Sequence, residues 1–255
     1  MSPAILDHLA VGAWSRDDAA ADFSRRFGGR EVARFSIPSW AGVQLAFDRG
    51  IRLEILEPVK GPADDFLQRF LEHSGPGPHH ATFKVDDIRE SLERLKGLGI
   101  EPVKVNLTDP LWQEAFLHPS LGIGTVVQLA QQGGAWSAEK ELSPEPAGPI
   151  HAGFLGADLA SNLESAATIF GELLGGTATR RGDGIAYSWA GGGTLLVRPA
   201  GDARPAVRAL VFRYSDPGPG ARPGEEMLFS GPALVKRLAP GEEWPAMDAL
   251  ESPLS

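Results

Sequence analysis

The sequence predicts an α+β fold made of tandem βαβββ modules, in which the second pair of modules is truncated. Three observations support this prediction. A short β-like run with a histidine near its start occurs three times, at His8, His80 and His151. Each run is followed by an amphipathic helical pattern that ends at glycine. Further strand-like runs then complete each unit, and such self-similarity is typical of a duplicated supersecondary structure.

The first module is predicted over residues 5–60. Ser15 is a suitable N-cap for a helix over Asp17–Phe27, which carries apolar side chains at helical spacing and is closed by Gly28-Gly29. Pro58 interrupts the pattern after the last strand. The strands predicted between the helix and this proline are Glu31–Ile37, Gly42–Phe47 and Ile51–Leu56.

The second module is predicted over residues 79–131, after a connecting helix at residues 62–73. Apolar side chains from Ile88 to Leu98 recur at helical intervals, and Gly99 ends this helix. Residues 4–131 are therefore predicted to form one domain with the order β-α-β-β-β in both modules. The strands expected after the second helix are Glu101–Asn106, Trp112–His118 and Thr125–Leu129.

Residues 149–255 are predicted to form a degenerate second domain of the same type, after a polar linker over Gln131–Gly148. A helix is expected over Leu163–Leu174. Beyond Asp216 the sequence is rich in proline and glycine, and one short helix is predicted there, around Pro232–Leu238. The strands expected in this domain are Ala178–Arg181, Ile185–Trp189, Thr194–Val197 and Arg208–Tyr214.

Composition excludes several classes of function. The net charge is −9 without any basic run, which argues against nucleic acid as a partner because phosphate binding needs clustered Lys and Arg. The chain has no cysteine, which excludes thiolate catalysis and Cys-based zinc sites. No run approaches the roughly 18 apolar residues of a membrane span, and no signal peptide is recognised. A cytoplasmic protein that contacts neither nucleic acid nor membrane is expected.

Polar residues that can bind a metal recur at matched positions in the two modules. His8 and His80 are 72 positions apart, and Glu54 and Gln128 are 74 apart. A duplicated unit with one imidazole and one carboxylate or amide in equivalent positions indicates a metal site related by a pseudo-two-fold axis. Two imidazoles and two oxygen ligands suit a divalent transition metal.

Four phrases of the first 131 residues also carry a family resemblance. They are Asp7-His8-Leu9-Ala10-Val11, Leu53-Glu54-Ile55-Leu56-Glu57-Pro58, His79-His80-Ala81-Thr82-Phe83-Lys84-Val85-Asp86-Asp87-Ile88, and Ala115-Phe116-Leu117-His118-Pro119 followed by Gly124-Thr125-Val126-Val127-Gln128-Leu129. Together they resemble the vicinal oxygen chelate superfamily, in its methylmalonyl-CoA epimerase-like or glyoxalase-like branch. The resemblance implies curved mixed sheets around a metal-binding cleft.

The resemblance implies a ligand set as well. His8 and His80 stand at the first-strand ligand positions, and Glu54 and Gln128 at the last-strand positions of their modules. The implied cofactor is one divalent ion, with Fe, Mn, Co, Ni and Zn all open. The residues alone leave other readings: strand-initial histidines with backbone hydrogen bonds, a solvent-facing Glu54, and a Gln128 that hydrogen bonds a metal-bound water.

The sequence departs from the epimerases of this family at the catalytic carboxylates. Those enzymes are thought to use two carboxylates, one on either face of the substrate α-carbon. The corresponding positions here are Gln44 and Gln128, and an amide cannot abstract a proton. Glu54 is the sole carboxylate of the implied ligand set and is the predicted catalytic residue. One base with a metal can support enolisation, isomerisation, elimination or ring opening.

Further side chains are candidates for the surroundings of the site. Gln44, Trp112 and Phe116 are predicted to bind substrate, and ordinary core packing is the alternative for the two aromatic residues. In the second domain, Leu195 and Ala209 correspond to Glu54 and His80, so that half is expected to be metal-free. The remaining candidates are Trp40 and Phe47 in the pocket or core, Asp109 and Glu114 as acid–base groups, His79 beside the ligands, His118 in a turn and His73 on a helix surface.

The function implied by the resemblance is that of a divalent-metal-dependent isomerase/epimerase or lyase. Its substrate would be a small molecule with vicinal oxygens, processed through an enolate-like intermediate. A non-haem iron dioxygenase is one alternative, because two histidines and one glutamate match the ligands of such enzymes. A non-catalytic protein that binds a small molecule such as an antibiotic is the other. A homodimer is compatible with the resemblance, since paired modules often dimerise in this family.

Overall fold

Strands from the two halves of the chain form two mixed sheets. The computed structural model describes residues 3–59, 66–133, 151–216, 224–227, 234–240, 242 and 244. The first sheet contains β1 (Ile5–Gly12), β2 (Arg30–Ser36), β3 (Trp40–Ala46), β4 (Arg52–Pro58), β5 (Gly77–Lys84), β6 (Lys104–Asn106), β7 (Trp112–Leu117) and β8 (Val126–Gln132). The second contains β9 (His151–Ser161), β10 (Thr177–Arg181), β11 (Gly184–Ser188), β12 (Thr194–Pro199), β13 (Ala206–Asp216), β14 (Gly224–Met227) and β15 (Leu234–Leu238). The predicted α+β class is confirmed.

The first sheet has the same strand order on either side of its centre. Its order is β2-β3-β4-β1-β5-β8-β7-β6. β1 pairs with β5 in antiparallel fashion, whereas β1 and β4, and β5 and β8, are parallel pairs. The strands of residues 5–58 are thus mirrored by those of residues 77–132, and the β1–β5 pair joins the two modules.

The second sheet repeats this arrangement with elements missing. Its order is β10-β11-β12-β9-β13-β15-β14, and β13 pairs with β9 and β15 as β5 pairs with β1 and β8. Only residues 217–223 separate β13 from β14, too few for a helix and a strand like those that follow β5. The second pair of modules is therefore truncated, as predicted.

Capping side chains and a left-handed glycine mark ends of the helices. They are α1 (Arg16–Phe27), α2 (Phe66–Ser74), α3 (Ile88–Gly97) and α4 (Leu163–Ala166), which continues as a π-helical segment over Ala167–Leu173. The side chain of Ser15 accepts a hydrogen bond from the Asp18 N–H at the start of α1, and Gly28 ends that helix with φ of 71°. Asp87 caps α3 by accepting from the N–H groups of Arg89 and Glu90.

The two sheets share one hydrophobic core. In the central strands of the first sheet, alternate side chains point toward the second half and are fully buried or nearly so; they include Leu9, Val11, Leu53, Ile55, Ala81, Phe83, Val127 and Leu129. The ring of Phe212 stacks on Phe27 at 4.1 Å and on Phe154 at 4.5 Å between centroids. We call this side of the first sheet its inner face, and the opposite side its outer face. The division into domains at 4–131 and 149–255 remains a proposal, because the core is common to both.

The outer face of the first sheet is partly covered by α2. Leu67 and Leu71 of this helix form a small apolar cluster with Ala10 and Leu56, and Phe70 packs against it. Several other outer-face positions of the four central strands hold polar side chains, among them His8, Glu54, His80 and Gln128. These positions carry the metal-binding candidates described below.

One predicted helix is a strand. Residues 234–238 form β15, which pairs with β13 and β14, whereas a helix was expected around Pro232–Leu238. Val235 is fully buried in the common core and Leu238 nearly so. The edge of β13 offers backbone hydrogen bonds that local sequence preference does not reveal. The linker residues 134–148, the start of the connecting helix at 62–65 and residues 232–233 lie outside the described residues.

No helix within the described residues is both long and apolar enough to cross a membrane.

The junction between the halves depends on Gly50, which gives a testable prediction. Gly50 has φ of +93°, and a Cβ added there would lie 1.9 Å from the carbonyl oxygen of Phe154. We expect Gly50→Ala to lower the free energy of unfolding by about 3 kcal/mol, because left-handed strain of roughly 1–2 kcal/mol adds to a steric clash of roughly 1–3 kcal/mol. Urea unfolding measures this change.

Gly192→Ala is the matched control. Gly192 also has a positive φ, of +90°, but a Cβ there would meet nothing within 4 Å. Its substitution should lower the free energy of unfolding by roughly 1–2 kcal/mol, through backbone strain alone. Equal losses in the two variants would show that the Gly50–Phe154 contact does not hold the halves together.

Candidate metal centre

Three side chains on the outer face of the first sheet converge on one point. His8 on β1, Glu54 on β4 and His80 on β5 each offer a donor atom, and these atoms all lie within 4.8 Å of one another. Oε2 of Glu54 is 3.5 Å from Nε2 of His8 and 3.8 Å from Nε2 of His80. All three residues are buried, with at most 7% of their surface exposed. They meet because β1 lies between β4 and β5.

Two β-bulges aim the histidines. In the β1–β5 ladder, Leu6 pairs with Phe83 and His8 with Thr82, so Asp7 is an extra residue in β1. Further along, Ala10 pairs with His80 and Val11 with Pro78, so His79 is an extra residue in β5. A bulge re-aims the side chains next to it. Both candidate histidine ligands, His8 and His80, therefore follow directly after a bulged residue.

Each bulged residue contacts the ring nitrogen that faces away from the cluster. Nδ1 of His8 is 2.7 Å from Oδ2 of Asp7, whose other oxygen is 3.0 Å from Nζ of Lys84. Nδ1 of His80 is 2.8 Å from Nδ1 of His79. A proton on Nδ1 of His8 is donated to Asp7, and a proton on Nδ1 of His80 is donated to Nδ1 of His79. This arrangement leaves the lone pairs of Nε2 of His8 and Nε2 of His80 directed at Glu54. Hydrogen bonds of this kind fix the tautomer and raise the basicity of metal-binding histidines.

An amide lies on either side of the cluster. Nε2 of Gln44 donates to Oε1 of Glu54 at 2.9 Å, which leaves Oε2 of Glu54 for the two histidines. On the other side, Oε1 of Gln128 accepts from the Thr82 hydroxyl at 2.6 Å, and Nε2 of Gln128 donates to Oε2 of Glu114 at 2.7 Å. Gln128 is 6% exposed and its amide oxygen has a second lone pair.

The buried charges of the cluster balance each other. Burial opposes the ionisation of His8, but Glu54 and Asp7 outweigh it and raise the pKa of His8 to about 9. Burial also disfavours an ionised Glu54, yet His8 and His80 lower the pKa of Glu54 to about 2. Burial and the neighbouring His79 hold the pKa of His80 well below its usual value. A cation bound between the three residues would displace the proton of His8.

The donor set fits a divalent transition metal. Nε2 of His8 is fully buried and has no hydrogen-bond partner among the described residues. An ion with ligands at about 2.1 Å in tetrahedral geometry separates its donors by about 3.4 Å, close to the two distances from Glu54 Oε2. Two imidazoles and one carboxylate are ligands that zinc, iron, manganese, cobalt and nickel accept. The residues present therefore suit such an ion.

Comparison with known families places the first half of the chain. Residues 7–116 match the family model described as Glyoxalase/Bleomycin resistance protein/Dioxygenase superfamily. This part of the chain is similar to that superfamily. The match includes the three residues of the cluster, and members of the superfamily bind a divalent metal.

Two individual proteins are each similar to about half of this chain. The uncharacterised protein YqjC of Bacillus subtilis is 26% identical over 144 residues, which are 53% of this chain and 98% of that protein. A variant of the Streptomyces coelicolor methylmalonyl-CoA epimerase in complex with 2-nitronate-propionyl-CoA is similar at 18% identity and a TM-score of 0.47; the match covers 52% of this chain and 100% of that one.

A third similarity extends over both halves. The crystal structure of a hypothetical protein from Staphylococcus aureus matches with a TM-score of 0.62 and 9% identity, covering 92% of this chain and 98% of that one. At this identity the similarity concerns the fold alone. The arrangement with two sheets is therefore shared by another protein.

The second half has no equivalent donor set at the matching sheet positions. Asp158 of β9 corresponds to Ala10 of β1. Ala10 pairs with His80 and Asp158 pairs with Ala209, so Ala209 occupies the position of His80, as predicted. Leu196, which pairs with Asp158, corresponds to Glu54; the expected Leu195 lies one residue away and points into the core. His151 is the first residue of β9, too far from Asp158 to match His8.

The structure places the other predicted residues at varied distances from the cluster. Gln44 contacts Glu54, and the ring of Phe116 is 6.5 Å from that of His80. Trp112 donates from Nε1 to Oε2 of Glu114 at 3.0 Å. The others lie apart from the ligands: Phe47 in the core, Trp40 against α2, Asp109 in an exposed turn where it accepts from the Leu111 N–H, His118 at the start of a 3-10 turn and His73 exposed on α2.

Asp7 was missed as a functional candidate. The signal in the sequence is the pair Asp7-His8 between Leu6 and Leu9, which breaks the alternation of a strand. Two polar residues in succession, each flanked by core residues, indicate a bulge. His79-His80 before Ala81 has the same character.

Removal of one histidine should abolish metal binding. We expect His80→Ala to retain no metal, against one equivalent per chain for the wild type, when both are loaded with Zn²⁺, desalted and measured by elemental analysis. The loss of one of three protein ligands leaves too few donors for a stable site. The control is His73→Ala, which removes an exposed histidine and should keep the full equivalent. Retention of metal by His80→Ala would refute the ligand assignment.

Loss of the Asp7 charge should weaken the site without destroying it. We expect Asp7→Asn to raise the dissociation constant for Zn²⁺ about 10- to 100-fold, because Asp7 orients His8 and raises its basicity. Competition with a chromophoric chelator measures this constant. Asp86→Asn, which changes an exposed aspartate just after β5, should leave it unchanged. An unchanged constant in Asp7→Asn would mean that the Asp7–His8 hydrogen bond has no effect on the ligand.

Proposed function

We propose that this protein is a divalent-metal-dependent isomerase/epimerase or lyase, acting on a small molecule with two vicinal oxygens through an enolate-like intermediate. His8, Glu54, His80 and Gln128 are the proposed ligands. The observation that carries the proposal is a second carboxylate, Glu114, beside the ligand cluster. A metal site next to a free base is what enolisation requires.

Glu114 is oriented by donors that leave one of its oxygens free. Trp112 Nε1 and Gln128 Nε2 both donate to Oε2 of Glu114, at 3.0 and 2.7 Å. Among the described residues, no donor contacts its Oε1. Glu114 is partly exposed on the outer face, and Gln128 connects it to the ligands. A carboxylate held through one oxygen presents the other to substrate.

This assigns separate roles to the two carboxylates. Glu54, the catalytic residue predicted from the sequence, is engaged by His8, His80 and Gln44, so its role is to complete the site. Glu114 takes the proton-transfer role that the amides Gln44 and Gln128 cannot perform. Gln44 and Phe116 border the space where substrate would lie, and Trp112 positions the base.

The reaction then follows from these groups. A divalent ion held by the ligands would supply Lewis-acid polarisation of the two substrate oxygens. Oε1 of Glu114 accepts the proton from the carbon next to the carbonyl, and the electron pair of that C–H bond forms the enolate. Return of this proton from Glu114 to the adjacent carbon gives an isomer, whereas delivery of a solvent proton to the opposite face gives an epimer and leaves Glu114 to release its proton to water. If the enolate instead expels a substituent from its β-carbon, the reaction is an elimination and the enzyme is a lyase.

A second candidate is supported by the composition of the triad. Two histidines and one carboxylate are also the ligands of non-haem iron dioxygenases. An oxygen-uptake assay separates the two candidates. The protein is loaded with Fe²⁺ under anaerobic conditions, catechol and air are added, and oxygen consumption is measured. Uptake that depends on His80 would favour the dioxygenase, whereas an isomerase or lyase consumes no oxygen.

Proton abstraction can be tested without knowing the physiological substrate. In D₂O, the metal-loaded protein should exchange the α-hydrogen of one or more members of a panel of α-hydroxy ketones, 2-oxo acids and acyl thioesters, as followed by ¹H NMR. We expect Glu114→Gln to lower the exchange rate at least 100-fold while metal content stays at one equivalent, since general base catalysis contributes roughly 10²- to 10⁴-fold.

The control for this experiment is Glu93→Gln, on the solvent-facing side of α3. It should exchange like the wild type. Exchange by Glu114→Gln at the wild-type rate would assign the base to another group. Absence of exchange with the whole panel, together with iron-dependent oxygen uptake, would replace the isomerase or lyase proposal with the dioxygenase.

A further inference from the structure

A cavity of about 720 Å³ lies at the junction of the two halves, beside the metal centre. Its walls come from the end of α2, the beginning of β5, the loop before β8 and the loop before β13. Ligand pockets for small molecules have volumes of roughly 300–1,000 Å³. The cavity is thus large enough for the part of a substrate that does not react.

The cavity adjoins the ligands through two residues. Val126 lines it and lies two positions before Gln128, on the same face of β8, and Val126 pairs with His80 across the sheet. His79 also lines it, and its Nδ1 is 2.8 Å from Nδ1 of His80. A molecule with one end at the metal centre can therefore extend into the cavity.

The described residues that line the cavity include no carboxylate, in a chain whose net charge is −9. The lining contains Arg204 together with His73, His79 and His118, which are three of the six histidines of the protein. Arg204 is exposed and forms no ion pair with any described residue. An arginine that has no ion-pair partner among the described residues, and whose described neighbours in the cavity carry no negative charge, has its hydrogen-bonding capacity available to an anion.

Further donors face the same space. Nδ1 of His118 accepts a hydrogen bond from the Ser120 N–H, so a neutral His118 carries its proton on Nε2 and can donate it. Gly75 and Gly77 belong to the lining, and a Cβ at either would meet nothing within 4 Å. Bare backbone thus borders the cavity on that side.

Arg204 comes from the second half but is held in a fixed relation to the metal centre. The Gly122 carbonyl, in the loop before β8, accepts from the Ser161 hydroxyl at 2.7 Å and from the Asn162 N–H at 2.8 Å. Gly124 packs so closely that a Cβ there would lie 2.6 Å from the Ala160 carbonyl oxygen. These contacts join the start of β8 to the half that carries Arg204.

We propose that the cavity binds the oxyanion group, a phosphate or a carboxylate, of the substrate whose other end reaches the metal centre. Arg204 provides the charged contact and His118 a further donor. The second half thereby takes part in substrate recognition. This inference rests on the proposed function in one respect, namely that the molecule bound in the cavity is the substrate.

The test measures anion binding without requiring turnover. Inorganic phosphate and malonate are titrated separately into the full chain at constant pH and ionic strength, and the ring signals of the six histidines are followed by ¹H–¹³C NMR. We expect saturable shifts of the His118 signal with at least one of the two anions. Arg204→Ala should raise the dissociation constant at least tenfold, whereas Arg208→Ala, an exposed arginine of the same half outside the cavity, should not change it.

The same titration in His80→Ala separates this inference from the proposed function. Shifts that persist in His80→Ala and weaken in Arg204→Ala support the cavity, even if elemental analysis finds no metal in the wild type. Shifts that are lost in His80→Ala but unchanged in Arg204→Ala place the anion at the metal centre and overturn the inference. Absence of saturable shifts with both anions overturns it as well. The relative affinities of phosphate and malonate identify the oxyanion.

Discussion

The antiparallel pairing of β1 with β5 is the interaction on which the rest of the site depends. It joins the two modules of the first sheet and places His8 and His80 on neighbouring strands. Its two bulges turn Asp7 and His79 toward the same side as the ligands that follow them. The parallel partners β4 and β8 then bring Glu54 and Gln128 alongside. The candidate metal centre thus depends on strand pairing, because its four residues all lie on paired strands.

Electrostatics explains why these polar groups tolerate burial. A lone carboxylate or imidazolium in such surroundings would be strongly destabilising. Glu54 is compensated by two imidazoles and the Gln44 amide, and His8 by two carboxylates. The network is satisfied except at Nε2 of His8, the atom that a cation would contact. Nε2 of His8 is therefore the buried atom of the cluster that lacks a hydrogen-bond partner among the described residues. The neutral donors Trp112 and Gln128 hold Glu114 beside the cluster.

Much of the first half could be predicted from the sequence because the internal repeat and the alternation of side chains along the strands agree there. The repeat identified His8, Glu54, His80 and Gln128, and strand alternation put their neighbours in the core. His79 was predicted to lie beside the ligands, but Asp7 was missed because a bulge is defined by the partner strand. The sequence predicts a helix where β15 lies, because local sequence preference does not reveal the pairing of these residues with the distant strand β13. The cavity could not be predicted, since Arg204 approaches the first half only through tertiary packing.

The shared core has a consequence for how the two halves relate. Without the second half, the inner face of the first sheet, with residues such as Phe27 and Phe83, would be open to water or to another subunit. Here Phe154 and Phe212 cover that face from within the same polypeptide. The second half thus acts as a covalently tethered subunit, present at an effective concentration that dilution cannot lower.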